Sequence, residues 1–460
     1  MSSISQVSET MQTILTSRAT ALERASGFVE RSTAQLDGAI FSQTTVLTWM
    51  QNPDASSSQL RHTAASLGVH VSNQALEHRF GQASVRLVRA LLEETIGQVI
   101  KSEASAPEVL ARFNGVYLQD GTVISLPSSL AQQWPGGSQE AALRVQGRLE
   151  LGSGSLSGLW LQAGREPERS GPAITTPLPV GSLFHGEMGY FTLSEMGQRG
   201  KQGQYWLSQA KATLTLLDQH GQCWDLLSFL RAQQGEVVDV ELFVGKRERL
   251  AVRLIAVRVS PEEAKRRRQR AQERITHPPK GCQAPLPGKR KPKEQRQGKR
   301  KGKKISAARL RLADWTIVLT NVPQAQLSVQ EALVLLRVRW QIELLWKLWK
   351  QHGKLDTWRS YKPERILTEF YAKLLGLVIT HWHVLLGCWQ APNRSLLKAK
   401  QVVEWMTPCL ALALTGVVPV PTVVERTAQM MQTGCTINSR RKRPNTSQLL
   451  ADPRLVGGLG

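Results

Sequence analysis

Cysteine is scarce in this chain: five in 460 residues, at Cys223, Cys282, Cys388, Cys409 and Cys435. The count is odd and no two form a Cys-x-x-Cys pair, so neither a disulfide framework nor a zinc site is encoded, and a reducing cytoplasm is the expected setting. Negative charge is also short. Against 59 Lys and Arg stand 36 Asp and Glu, leaving a formal net charge of +23. That field attracts polyanions whatever the fold, and nucleic acid is the first partner it suggests. No charge-free apolar run of about eighteen residues without helix breakers is present. Residues 371–389 carry Lys373, His381 and His383, and 406–424 are interrupted by Pro408, Pro419 and Pro421. Both stretches read as buried core, so no membrane partner is expected. The first residues lack the basic stretch and apolar core of a secretory signal.

A chain of this length is expected to fold as two or three packed units. Residues up to about 105 are rich in helix formers, and Ser57–Phe80 has the pattern of a helix-turn-helix. Leu60, Ala64, Ala65, Leu67, Val69 and Leu76 surround a turn at Gly68, and Ser72 is placed to cap the second helix. An ordinary helical hairpin fits the same residues. From about 112 to 217 the pattern changes to short strand-like runs, among them GVYLQ, TVISLP and LRVQGRLEL, with VVDVELFV and RLAVRLIAVRV following. Residues 261–304 then hold 17 Lys or Arg against 4 Glu and six prolines, the composition of a solvated linker that can order on phosphates. A strand over Asp314–Val322 precedes a long helical region from Ser328 to about Gly353. Apolar helix continues to about 425, and a basic tail closes the sequence.

Within EALVLLRVRWQIELLWKLWKQHGK, Arg339, Glu343, Lys347 and Lys350 recur at spacings of four, four and three, which aligns them on one helical face. Leu335, Ile342, Leu345 and Trp349 point toward a core on the other side. Surface ion pairs worth roughly 0.3 to 0.5 kcal/mol each would explain part of this pattern.

The order Arg, three residues, Glu, six residues, Lys, set in RWQIELLWKLWK after WTIVLTNVP, resembles the signature of the IS-four family of insertion-sequence transposases. Arg339, Glu343 and Lys350 are in register, while Leu336 stands where that family has a tyrosine. The resemblance implies an RNase H-like catalytic core in which two Asp and one Glu hold divalent metal, Mg²⁺ or Mn²⁺, as a pair of ions. Asp120, in NGVYLQDGTVISLP, is the first acid expected, at the end of an early strand; an Asp-Gly hairpin turn is the other reading. The second acid of the family lies in an Asp-x-Gly-Tyr-Phe motif. Here SLFHGEMGYF puts Glu187 at that place, an oxygen ligand longer by one methylene, with His185 as a structural neighbour. Glu343 is the third.

The fold class implied is mixed α/β: an RNase H-like core interrupted by a strand-rich insertion, with an all-helical N-terminal DNA-binding domain. Its expected parts are 1–108 (DNA-binding, helix-turn-helix near 57–80), 109–217 (core), 218–312 (insertion with basic linker 261–304), 313–425 (core with the Glu helix) and 426–460 (basic flexible tail). By the same resemblance Arg339, Lys347 and Lys350 contact DNA, and Trp315 stacks on a flipped base, although a buried strand tryptophan fits DWTIVLT equally. The partners implied are double-stranded DNA, as transposon ends and target, and a second copy of the chain on that DNA. A nucleoid-associated cytoplasmic location follows. Glu187 and Leu336 also fit a decayed copy that binds ends without cutting, and a general RNase H-like nuclease is a third possibility.

Overall fold

The computed structural model describes residues 3–30, 35–103, 105–276, 310–389, 391, 393–437 and 444–459. They form a mixed α/β protein of two compact units: Met1–Ala111, Tyr117–Pro177 and Trp340–Lys442 make the first, and Arg112–Val116, Leu178–Arg339 and Arg443–Gly460 the second.

Helices and strands are numbered here along the chain. The first unit opens with α1 (Ser3–Thr13), α2 (Gly38–Gln51), α3 (Ser57–Ser66), α4 (Asn73–His78) and α5 (Gln82–Ile96). The expected helix-turn-helix is α3 and α4. A reciprocal box between Ser56 and Gln59 starts α3, Gly68 turns the chain at φ +86, and Ser72 Oγ accepts from the Ala75 amide at 3.0 Å. Each such cap contributes about 1 kcal/mol. Leu60, Ala64, Leu67 and Leu76 are buried between the two helices and their neighbours. Next come the antiparallel strands β1 (Val116–Leu126), β2 (Ala141–Glu150) and β3 (Leu156–Ala163). Asp120 lies in the middle of β1, opposite Gly147, so the strand does not end there and Asp-Gly is not a hairpin turn.

In the second unit the strands are β4 (Leu183–Gly186), β5 (Tyr205–Gln209), β6 (Thr215–Leu217), β7 (Cys223–Asp225), β8 (Val237–Val244), β9 (Leu250–Arg258) and β10 (Trp315–Thr320). They lie in the order β4-β5-β10-β9-β8-β6-β7. Only the β4–β5 pair is parallel. VVDVELFV and RLAVRLIAVRV pair as the β8–β9 hairpin. Within it Arg253 is buried, held by Asp239 at 2.7 Å and by the carbonyl of Leu327 at 2.6 Å. Helix α6 (Leu193–Lys201) packs on β5.

The basic stretch begins differently from the linker expected over 261–304: Pro261–Thr276 form a helix, α7. Glu262 and Glu263 suit the positive end of the helix dipole. Ala264 is buried, and Arg267 donates to Trp315 O at 3.2 Å and Thr316 Oγ1 at 3.0 Å. Arg268 pairs with Asp314. Specific docking therefore outweighs the repulsion among its cations. The rest of the stretch, from 277, lies outside the described residues. Helix α8 (Val329–Val338), started by a Ser328/Glu331 box, packs on β5 and β10.

The chain returns to the first unit at α9 (Trp340–Lys347), which passes into a π-helical turn, Leu348–His352, and then continues to α10 (Pro363–Gly387), α11 (Leu396–Leu414) and α12 (Val420–Gly434). Helix α10 is long and apolar enough to cross a membrane, yet 94% of its most apolar window is buried inside the fold. It packs against α1, α2, α5, α11 and α12. The N-terminal helices, expected as a domain at 1–108, are thus helical but share one core with helices from the other end of the chain. A helix apolar on every side must be covered on every side, and α2 and α5 cover this one. The flexible tail expected over 426–460 is instead structured where it is described: α12 continues to Gly434 with Thr427, Ala428 and Met431 buried, and Thr446–Ala451 form a further helix that buries Leu449 and Leu450 and packs on α8.

His381 and His383 of α10 are fully enclosed, and burial pushes both imidazoles down to about 4 from an ordinary 6.5. His381 Nε2 lies 2.8 Å from Gly154 O, whereas neither ring nitrogen of His383 has a hydrogen-bond partner among the described residues. As pH falls below 6.5 the unfolded chain takes up these protons first, so stability present above pH 6.5 is lost progressively toward pH 4. Thermal melts across that window are expected to show the decline. His383→Leu should flatten it by up to ~3 kcal/mol, and an unchanged pH profile in that variant would contradict a buried neutral ring.

Candidate active site

The acids expected from the sequence fall in two units: Asp120 and Glu343 in the first, Glu187 in the second. Among the described residues no three His, Cys, Asp or Glu side chains converge into a group able to hold a metal.

Asp120 and Glu343 are related through a glycine. Paired residues on neighbouring strands project from the same face of a sheet, so Asp120 points to the face on which Gly147 lies. That face is covered by α9. A Cβ added to Gly147 would sit 2.8 Å from Cζ2 of Trp346, so the indole rests on bare backbone. Glu343 precedes Trp346 by three residues, close to one turn, and shares its side of the helix. Further along, Lys350 Nζ donates to Val123 O at 3.3 Å, three residues beyond Asp120 on β1. The two contacts place α9 and its π turn alongside β1, one level with Asp120 and the other three residues beyond it. Asp120 is 6% exposed, and one carboxylate oxygen accepts from the Gly121 amide at 2.8 Å. Glu343 is half-buried in the first turn of α9.

The opposite face of the sheet is held rigidly. Arg148, next to Gly147, is 1% exposed; it donates to Gln119 Oε1 at 3.1 Å and to the carbonyls of Ala173 at 2.5 Å and Thr176 at 3.2 Å. One strand thus offers a tethered guanidinium to one side and an empty seat to the other. The expected core positions Ile342, Leu345 and Trp349 are all buried, as is Leu335 of α8.

Basic residues accompany the acids. Lys347 is exposed, its ammonium 5.7 Å from the centre of the Trp340 ring. Lys350 lies 4.0 Å from Asp356, a partner that sequence reading passed over because it falls in the turn after the helix. The π turn also departs from the regular spacing that aligned Lys350 with Glu343, since its residues advance by a smaller angle than α-helical ones.

In the second unit, Glu187 follows β4 directly and is exposed, and its carbonyl accepts from the Tyr190 amide at 2.9 Å. His185 is buried just before it, with Nδ1 2.9 Å from Leu207 O and Nε2 3.4 Å from Leu336 O. Burial foremost, with Arg339 adding a smaller push, lowers its pKa to about 4. The ring is therefore neutral and structural, as its sequence position implied. Arg339 keeps helical backbone angles between α8 and α9. Trp315 is 7% exposed, with the Arg258 guanidinium 4.9 Å from its ring centre. A base could stack on it only after Arg258 moved aside.

A strand acid beneath a helix acid, accompanied by cations in a strongly basic α/β chain, is suited to enzymes that cut and transfer DNA strands. The family described as Transposase DDE domain matches residues 112–379, more than half of the chain. The protein belongs to that family and is a DNA transposase of the insertion-sequence kind. It is 22% identical over 379 residues to the transposase for insertion sequence element IS231B of Bacillus thuringiensis subsp. berliner, covering 77% of this chain and 74% of the relative. The transposase for IS1151 of Clostridium perfringens is 20% identical over 330 residues, 67% of this chain and 65% of its own. A shorter match, 34% over 80 residues, joins 17% of the chain to 22% of the putative transposase InsL for IS186A of Escherichia coli (strain K12).

Because a methyl at Gly147 meets a strand on one side and an indole on the other, Gly147→Ala is expected to lower stability by about 1–3 kcal/mol. It should also reduce DNA cleavage by lifting α9. Urea unfolding with a cleavage assay checks both, and Gly147→Ala with Trp346→Leu should recover part of the stability; a neutral Gly147→Ala would contradict the seat.

Proposed function

We infer that the chain binds the terminal inverted repeats of its insertion sequence and performs metal-dependent strand cleavage and strand transfer. The observation that carries this reading is the seat of Trp346 on Gly147, which puts Glu343's helix over the face of β1 from which Asp120 projects. These carboxylates, with Glu187 as the third acid, are hard oxygen donors suited to Mg²⁺ or Mn²⁺. A bound pair of such ions supplies an activated water and neutralises charge on the departing oxygen. The chain's own residues orient the DNA. Arg339, Lys347 and Lys350 contact phosphates; α3 and α4 grip the ends, assisted by the basic stretch from α7, with affinity that falls steeply as salt rises. The catalytic core is RNase H-like, the N-terminal helices form the DNA-binding part, and two copies act together on paired ends. Trp315 serves a flipped base once Arg258 is displaced. The protein works in the bacterial cytoplasm at the nucleoid.

The test is incubation of supercoiled DNA carrying the element's own ends with Mg²⁺ or Mn²⁺ and wild type, Glu343→Ala or Glu187→Asp. End-specific nicking by wild type that is lost in Glu343→Ala is expected. Binding without nicking in wild type, with nicking restored by Glu187→Asp, would make the chain a decayed copy. Failure to bind the ends would defeat both.

A further inference from the structure

Arg365, Glu369 and Lys373 recur every fourth residue on α10 and are 4%, 2% and 3% exposed, so they form one buried row down the helix. Lys373 Nζ lies 2.8 Å from Glu369 Oε1 and donates to the carbonyls of Thr357 at 2.8 Å and Lys354 at 3.3 Å. At the other end the Arg365 guanidinium stands 3.6 Å from the centre of the Phe80 ring and 4.0 Å from Glu369. An apolar row of the same volume would pack as well without taking three charges out of water. Something other than packing accounts for them.

The two carbonyls belong to the turn that follows the Glu helix. Gly353 opens it, with no room for a Cβ against Trp349 O and Leu377. Lys354 adopts φ 45, in the left-handed region that lysine disfavours, and its side chain pairs with Asp54. This turn carries Asp356 to within 4.0 Å of Lys350, whose ammonium also donates to Val123 O on β1.

We propose that Lys373 and Glu369 are positioning residues for DNA cleavage: Lys373, oriented by Glu369, holds the turn Lys354–Thr357 so that Asp356 fixes the Lys350 ammonium beside the Asp120 strand. The proposal rests on the reading of Lys350 as a phosphate contact. Neither residue touches DNA; both act through the turn.

The experiment uses the full chain and compares wild type, Lys373→Met, Lys373→Arg, Lys350→Ala and the apolar triple Arg365→Met/Glu369→Leu/Lys373→Met. Thermal melts establish folding. Hydrogen exchange of 348–357 without DNA reports the turn, and single-turnover nicking of end DNA reports cleavage. In Lys373→Met, amides of the turn should exchange roughly tenfold faster or more, and nicking should slow by about a hundredfold, a much larger change than any in end affinity. Lys373→Arg should recover most of both. The triple variant is the folding control, expected to melt near wild type yet show the fast turn and slow nicking. A triple variant that folds with wild-type exchange and wild-type nicking overturns the proposal. Wild-type nicking in Lys350→Ala would instead overturn the reading of Lys350, while the exchange data still decide whether the row holds the turn.

Discussion

Only a hydrogen fits between the Gly147 backbone and the Trp346 ring, and much of the site depends on that fit. Any larger residue at 147 would lift α9 from the strand pair, and with it the helix that carries Glu343 over Asp120's side of the sheet. The seat works because the neighbouring residue is fixed. Arg148 spends its donors on Gln119 and two carbonyls, which keeps β2 from yielding when the indole presses on it. Protein interiors transmit strain instead of absorbing it, so a tether on one face specifies the position of a helix on the other.

The same unit buries a large amount of polarity. Arg148, Arg365, Glu369, Lys373, His381 and His383 all lie within its interior. Burial lowers the pKa values of Arg365 and Lys373 and is opposed by nearby carboxylates, Glu369 among them. Such groups persist when each is matched to a partner whose position matters. Arg148 is matched to the sheet and Lys373 to the turn beyond the Glu helix. Of these six, His383 is the exception, since no hydrogen bond of its ring nitrogens among the described residues explains its place in the core.

Local chemistry was legible in the sequence wherever one residue decides the outcome. Ser72 caps α4, Glu187 follows a strand, His185 is a buried neutral neighbour, and Ile342, Leu345 and Trp349 face the core. Misreadings arose where distant partners override local signals. Asp-Gly is a turn signal, yet Asp120 and Gly121 are paired across their whole length with β2 and stay extended. A stretch as basic as 261–276 reads as solvated, but Arg267 and Arg268 find acceptors on β10 and at Asp314, brought near only by the fold. The joint core of the N-terminal and C-terminal helices was equally hidden, because periodicity tells which face of a helix is apolar and not what covers it. Asp356 escaped notice for a related reason: its partner lies across a π turn, a spacing that α-helical rules do not anticipate.

Before any of this structure exists, the segment that becomes α10 leaves the ribosome as a 25-residue stretch apolar enough to enter a bilayer. Its cover is still incomplete, since α11 and α12 are yet to be made. Each Arg, Lys or acid at the centre of a membrane-spanning helix costs roughly 2.5–3.5 kcal/mol during insertion. Arg365, Glu369 and Lys373 lie in the first half of the stretch, so the nascent segment is a poorer membrane insert than its length suggests. The row of charges that holds a turn in the finished protein therefore also favours the aqueous folding route while the chain is being made.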